Sequence, residues 1–201
     1  MFKKQLANLI TGSRVLLAFV VWFLLLYFFQ AEEKQKELVY LSFILSILVI
    51  IGDFLDGQVS RLLKQTSLFG AWFDIAADRL VELGFWVVFA KLNLVSIWIA
   101  LIFLARGILV DGVRNLAQKQ SLTAFGQKSM MQSNLGTLLV SSSFSRTTYA
   151  ILKVFAFSLV ILSINLPELA FWANACVYAS TVFCILRGIP VLQEGKRFFA
   201  N

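Results

Sequence analysis

Four aspartates in the stretch GDFLDGQVSRLLKQTSLFGAWFDIAAD have the types and spacing to do chemistry. Asp53 and Asp56 are three residues apart and Asp74 and Asp78 four apart, so on helices each pair shares a face. The intervening LLKQTSLFG is short enough to make the two helices antiparallel neighbours and to bring all four acids together. Four packed carboxylates repel one another and do not all stay ionised unless something positive sits among them. With no histidine in the chain, an all-oxygen cage suits a hard cation such as Mg²⁺ or Mn²⁺. Gly57 and Gly70 remove side chains beside the acids and let a bulky ligand approach the backbone. Arg61, one turn beyond Gly57, offers a fixed cation to a phosphate. The plainer alternative is a buried ion network with Arg61, Arg79 and Arg106, or an ion path. Glu82 continues the Asp74–Asp78 face by one turn and is read as pairing with Arg79 or making a buried polar contact rather than as a fifth ligand.

The elements that must position these acids are membrane helices. Of 201 residues, 59% are hydrophobic and 14% charged, with a mean hydropathy of +0.81, whereas soluble domains average roughly 45–50% apolar and about 25% charged. Only helices or closed barrels can span lipid, and long unbroken apolar runs select helices. The expectation is an all-α integral membrane protein with six transmembrane helices, at about 14–30, 38–63, 67–90, 92–117, 147–165 and 168–189, each near the ~20 residues a bilayer requires. Residues 1–13 are expected as a short surface helix, and 1–201 as a single domain. The first apolar run begins too late for a cleaved signal peptide.

Of the 18 basic residues, all but Lys34, Lys36 and Lys91 fall on one side of these spans, which places both termini in the cytoplasm. The net charge of +7 makes that side a surface for anionic headgroups or phosphorylated substrates. Its dispersal along helix ends argues against nucleic acid. Without histidine there is no catalytic triad and no imidazole-ligated metal. Cys176 and Cys184 lie two helical turns apart, about 12 Å by rise, too far for a disulfide; both are read as packing residues.

The acidic stretch resembles the CDP-alcohol phosphatidyltransferase family, whose pattern is D-x2-D-G-x2-A-R-x8-G-x3-D-x3-D. Asp53, Asp56, Gly57, Arg61, Gly70, Asp74 and Asp78 match at the family's spacings, and Ser60 stands where the family has alanine. The resemblance implies metal-dependent transfer of a phosphatidyl group from CDP-diacylglycerol to an alcohol, with release of CMP. It implies that Asp53, Asp56 and Asp74, with Asp78 beside them, hold two Mg²⁺ or Mn²⁺ ions. Asp78 would deprotonate the attacking hydroxyl, and Gly57, Arg61 and Gly70 would contact the CDP moiety. It further implies a homodimer. The lack of a targeting sequence and the small size lead us to expect the inner (plasma) membrane of a bacterium, with the active site on the cytoplasmic face, where CDP-lipids and sugar phosphates are available. Trp72 lies between the fixed positions and is read as a packing residue.

Two further stretches resemble the phosphatidylglycerophosphate synthase branch: NLITGSR, with Asn8, Thr11 and Arg14, and RGILVDGVRNLA, with Arg106, Gly112 and Arg114. Lys128 in FGQKSMMQ falls where that branch carries a basic motif. This implies Arg106, Arg114 and Lys128 as ligands of an acceptor phosphate, and glycerol 3-phosphate as the acceptor. Gly107 departs from the branch's glutamate, and residues 133–147, with Ser141, Ser142 and Ser143, read as an inserted loop. Inositol phosphate, inositol, serine and a phosphatidyl acceptor remain alternatives. Arg106 and Arg114 could instead snorkel at a helix end, with Asp111 neutralising one of them. A small cation transporter is the reading of a different class, although duplicated halves are not visible. A non-catalytic scaffold is a third.

Overall fold

Runs of Leu, Val, Ile and Phe interrupted by few helix breakers make long helices, and the computed structural model is all-α. Its elements are α1 (Phe2–Gln30), α2 (Lys36–Leu62), α3 (Leu68–Lys91), α4 (Ile97–Lys119), the single turn α5 (Asn134–Gly136) running into a π-helix (Thr137–Ser141), α6 (Ser143–Ser163) and α7 (Ala170–Gly195). The structure describes residues 2–62, 68–120, 122 and 129–199, with side chains at all of these except 2–7, 53–62, 68 and 71.

Local chemistry ends the helices where the pattern breaks. Lys34 donates from Nζ to the carbonyls of Phe28 and Phe29 at 2.9 and 2.8 Å, satisfying acceptors that the last turn of α1 leaves open. After α3, Asn93 takes a left-handed conformation (φ 57°), and the Leu94 N–H donates back to the Phe89 carbonyl at 2.9 Å. Asparagine tolerates that conformation at a helix end better than most residues.

The expectation of six transmembrane helices is corrected. Among the described residues, three stretches are long and apolar enough to cross a membrane: Asn8–Gln30, Ser143–Ser163 and Pro167–Phe199. Length and mean apolarity suggested more, but α3 carries Asp74, Asp78, Arg79 and Glu82 within one apolar run, and α4 carries Arg106, Asp111 and Arg114. Each charge in such a run costs about 2.5–3.5 kcal/mol on insertion scales, so these helices lose the profile of a plain span. The described side chains of α2 stop at Gly52. The short surface helix at 1–13 is also corrected, because α1 runs without a break from Phe2 to Gln30. The three apolar helices make the chain an integral, multi-pass membrane protein. Their outward faces are built from residues such as Leu16, Phe19 and Phe23 on α1, Ile151 and Phe155 on α6, and Trp172, Tyr178 and Val182 on α7, a surface that suits lipid rather than water.

The chain gathers into two compact units, Met1–Ile97 with Phe157–Ala173, and Trp98–Ala156 with Asn174–Asn201. The first is centred on aromatic rings: Phe157 lies 5.0 Å from Phe85, 4.9 Å from Trp86 and 5.9 Å from Phe89 between centroids. In this unit α1 and α3 come so close at Gly84 that a Cβ there would run into the Trp22 indole. The second unit buries Val110, Val113, Met130, Met131, Val140 and Val191 together. Cys184 is buried, Cys176 is half-buried, and both are free thiols.

The inserted loop expected at 133–147 is instead largely helical. Ser133 caps α5 by accepting from the Gly136 N–H at 3.0 Å. The π-helix follows, and α6 begins at Ser143, four residues before the sequence suggested. Ser142 accepts from the Ser145 N–H at 3.2 Å, in the manner of an N-cap. Glu194, near the end of α7, ties the start of this segment down. It accepts from the N–H of Gln132 at 2.5 Å, the N–H of Ser133 at 3.3 Å and the hydroxyl of Ser133 at 2.5 Å. Arg197 adds a bond from Nη2 to the Met130 carbonyl at 2.5 Å. Replacing Glu194 by alanine strips three donors of one acceptor, at a cost of about 1–3 kcal/mol. The expected readout is hydrogen exchange at Gln132 and Ser133 faster by about tenfold or more, with α1 amides unchanged.

Candidate active site

Acids on an apolar helix need a cation, and in the first unit the cation comes from α1. Arg14 is buried, its side chain 3% exposed, and its Nη2 donates to Asp78 Oδ1 at 2.6 Å while standing 3.8 Å from Asp74 Oδ1. Asp74 and Asp78 share one face of α3, and their side chains are 48% and 50% exposed. The stem of Arg14 crosses α2 at Gly52, where a Cβ would sit 3.6 Å from its Cδ. Gly52 immediately precedes Asp53 in the chain. One turn before Arg14, Thr11 is buried as well.

The remaining sequence-derived residues divide into those the structure describes and those it does not. Gly70 lies one turn before Asp74 on α3 and is half-buried. Asp53, Asp56, Gly57 and Arg61 fall on α2 beyond its last described side chain, and Lys128 lies outside the described residues. Glu82 is buried and pairs with Arg79 at 3.2 Å, as its spacing suggested. Trp72 is not a core residue. Its ring is exposed and touches Phe69, itself exposed, at 6.0 Å between centroids.

The second unit has the opposite electrostatic character. Arg187 on α7 is buried; it donates from Nη1 to Ser145 Oγ at 3.0 Å and from Nη2 to the Val140 carbonyl of the π-helix at 3.3 Å. Its guanidinium lies over the Tyr149 ring at 5.3 Å, and Lys153 Nζ lies over the same ring at 4.6 Å. Arg106 and Arg146 are its cationic neighbours. Arg106 packs its stem along α7, where a Cβ at Gly188 would be 3.1 Å from its Cγ. Among the described residues, the buried Nε atoms of Arg106 and Arg187 have no hydrogen-bond partner. Buried donors left open in a cluster of like charges are suited to an anion. Arg114 lies two turns further along α4 and is 3.8 Å from Asp111 on its own helix.

The model of the CDP-alcohol phosphatidyltransferase family matches residues 4–186. The chain belongs to that family. It is also similar to a Mycobacterium bovis protein that carries the provisional name cardiolipin synthase, at 38% identity over 81 residues, covering 39% of each chain. A CDP-diacylglycerol--glycerol-3-phosphate 3-phosphatidyltransferase of Wigglesworthia glossinidia brevipalpis is 31% identical over 130 residues, 61% of this chain and 70% of that one. Another protein of the same name, from Cereibacter sphaeroides, is 33% identical over 122 residues, 59% of this chain and 53% of that one. The chain spans only about two fifths of the length of the mycobacterial relatives it matches.

In this family member the donor set on α3 is carboxylate oxygen only, which fits a hard divalent cation, and the approach of the Arg14 guanidinium to both acids registers their negative potential. Among the described residues no group of three or more acidic, cysteine or histidine side chains converges. The sequence does not show Arg14 as the partner of the α3 acids in the first unit, nor Arg187 as the centre of the basic cluster in the second. An arginine inside the apolar run ILRGIPVL is itself a signal, since charge within a membrane helix is costly and tends to be functional. Ser145→Ala removes an acceptor from Arg187 and the donor to the Leu139 carbonyl at 2.5 Å. The expected loss is about 1–3 kcal/mol, read as a lower thermal midpoint in detergent.

Proposed function

We propose that this chain catalyses metal-dependent transfer of the phosphatidyl group from CDP-diacylglycerol to an alcohol, releasing CMP, and that the alcohol is glycerol 3-phosphate. The observation that carries the reaction is the pair Asp74 and Asp78 on one face of α3, neutralised by buried Arg14, in a chain matched to the family over residues 4–186. Asp53, Asp56, Asp74 and Asp78 would hold Mg²⁺ or Mn²⁺. The ions, when bound, offset the charge that develops on the diphosphate as it is attacked. Asp78 takes the proton from the acceptor hydroxyl, whose oxygen forms a bond to the phosphatidyl phosphorus. The bond from that phosphorus to the CMP oxygen breaks, and CMP departs with the electron pair. Gly57, Arg61 and Gly70 line the place of the CDP moiety.

The acceptor reading is supported by the basic cluster of the second unit. Arg187, with Arg106 and Arg146 beside it, suits the dianion of a phosphate monoester, and planar guanidinium groups grip it better than point charges do. Arg114 and Lys128 complete the acceptor-phosphate set. The relatives from Wigglesworthia and Cereibacter, whose printed names specify glycerol 3-phosphate, favour the same alcohol. The name of the mycobacterial relatives favours a second reading, in which the acceptor is a phosphatidyl lipid that carries a singly charged phosphodiester. Both termini and the reaction lie on the cytoplasmic side, in a homodimer.

The test is CMP release by the detergent-solubilised protein from CDP-diacylglycerol, with Mn²⁺ or Mg²⁺ and a panel of glycerol 3-phosphate, inositol phosphate, inositol, serine and phosphatidylglycerol. Release that requires metal and glycerol 3-phosphate is expected, with EDTA silencing it reversibly. Release with phosphatidylglycerol alone would replace the acceptor, and release with no alcohol would end the reading. Asp78→Asn should lower kcat by about 10³-fold or more. Arg106→Gln should raise the KM for the acceptor by about tenfold with kcat nearly unchanged.

A further inference from the structure

We propose that Arg14 is a positioning residue of the reaction: an internal counter-cation that holds the candidate base Asp78 at Oδ1 and competes with divalent metal for the acids of α3. The inference rests on the phosphatidyltransferase reading and deepens it, because α1 carries none of the aspartates and reaches the acids through this side chain.

Three observations support it. First, the guanidinium is 3% exposed and stands 2.6 Å from Asp78 Oδ1 but 3.8 Å from Asp74 Oδ1. The short bond is a directed, charge-assisted one, whereas the longer separation is electrostatic attraction only. Asp78 is therefore the residue that Arg14 orients. Second, the bond engages Oδ1, and half of the Asp78 side chain is exposed, so the carboxylate is within reach of a proton or a metal. A base held at Oδ1 has fewer rotamers to lose before reaction, and misplacement by about 1 Å can cost on the order of 10²-fold in rate. Third, Arg14 is fixed from behind. Its stem lies against α2 at Gly52, and Thr11 on the preceding turn is buried. A guanidinium fixed in this way remains charged whether or not metal is present, so it stabilises the acids when they are empty and repels a cation that joins them.

The balance can be read without turnover. Mn²⁺ binding to the substrate-free, detergent-solubilised full chain, followed by electron paramagnetic resonance, is compared for wild type, Arg14→Gln and Arg14→Lys. Thermal midpoints and CMP-release kinetics are measured on the same preparations. Removing the charge in Arg14→Gln should tighten Mn²⁺ binding by about tenfold, while kcat falls by about 10²-fold and the KM for CDP-diacylglycerol moves by less than about threefold. Arg14→Lys should return Mn²⁺ affinity to near the wild-type value but restore kcat only in part, because a flexible ammonium carries the charge without the planar geometry. A merely structural tie predicts the reverse sign: weaker Mn²⁺ binding together with a fallen thermal midpoint. That result, or wild-type kcat in Arg14→Gln, overturns the proposal. If Arg14→Gln does not fold, Arg14→Lys decides, since unchanged kcat in that variant also overturns it. If the wild-type protein binds Mn²⁺ but releases no CMP with any alcohol, the functional reading fails, and the Mn²⁺ affinities alone judge whether Arg14 competes with metal.

Discussion

The buried guanidinium of Arg14 is held beside a carboxylate, Asp78, and much of the first unit follows from that pairing. Desolvating an arginine costs several kcal/mol, and removing its partner leaves an uncompensated charge that costs about 3–5 kcal/mol. Arg14 and Asp78 therefore fix the register of α1 against α3 at this depth. The close approach of the two helices at Gly84, where the Trp22 indole lies against bare backbone, fixes it again one and a half turns further along α3. With both points fixed, Asp78 cannot turn away from α1 without breaking its bond to the buried arginine.

The second unit solves the converse problem. Arg187 sits in the interior, where among the described residues it is held by neutral oxygens, the Ser145 hydroxyl and the Val140 carbonyl, and by the face of Tyr149. Its neighbours Arg106 and Arg146 add positive charge rather than cancel it. A cluster of this kind is stable only with generous dipoles around it and gains most from an anion. The π-helix contributes directly. Its wider turn presents Val140 as an acceptor to Arg187 and Leu139 as an acceptor to Ser145, so the irregular segment supports the basic cluster. Glu194 and Arg197 anchor the same segment at its start.

Reading the sequence reached the family more surely than the membrane architecture. The pair Asp74 and Asp78 was legible because helical periodicity turns a spacing of four into a shared face. Glu82 found Arg79 by the same rule. Arg14 was not legible as their partner, since it lies 64 residues from Asp78 in the chain and no local periodicity links the two. The span count failed because apolar length was weighed without the charges inside α3 and α4. The stretch at 133–147 read as an inserted loop because it departs from the branch that the neighbouring motifs resemble. Tertiary bonds from the end of α7 and the serine caps hold it largely helical instead.

The chain by itself determined that it is helical, that it lives in a membrane and that Asp74 and Asp78 face one way on α3, because composition and a period of 3.6 residues are local properties. Only the tertiary structure decided which cation answers the acids of α3 and which arginines gather around Arg187. Those choices depend on which helices approach and at what depth. Ion pairing in an apolar interior is set by distance and desolvation, and residues far apart in sequence carry no trace of either until the helices pack.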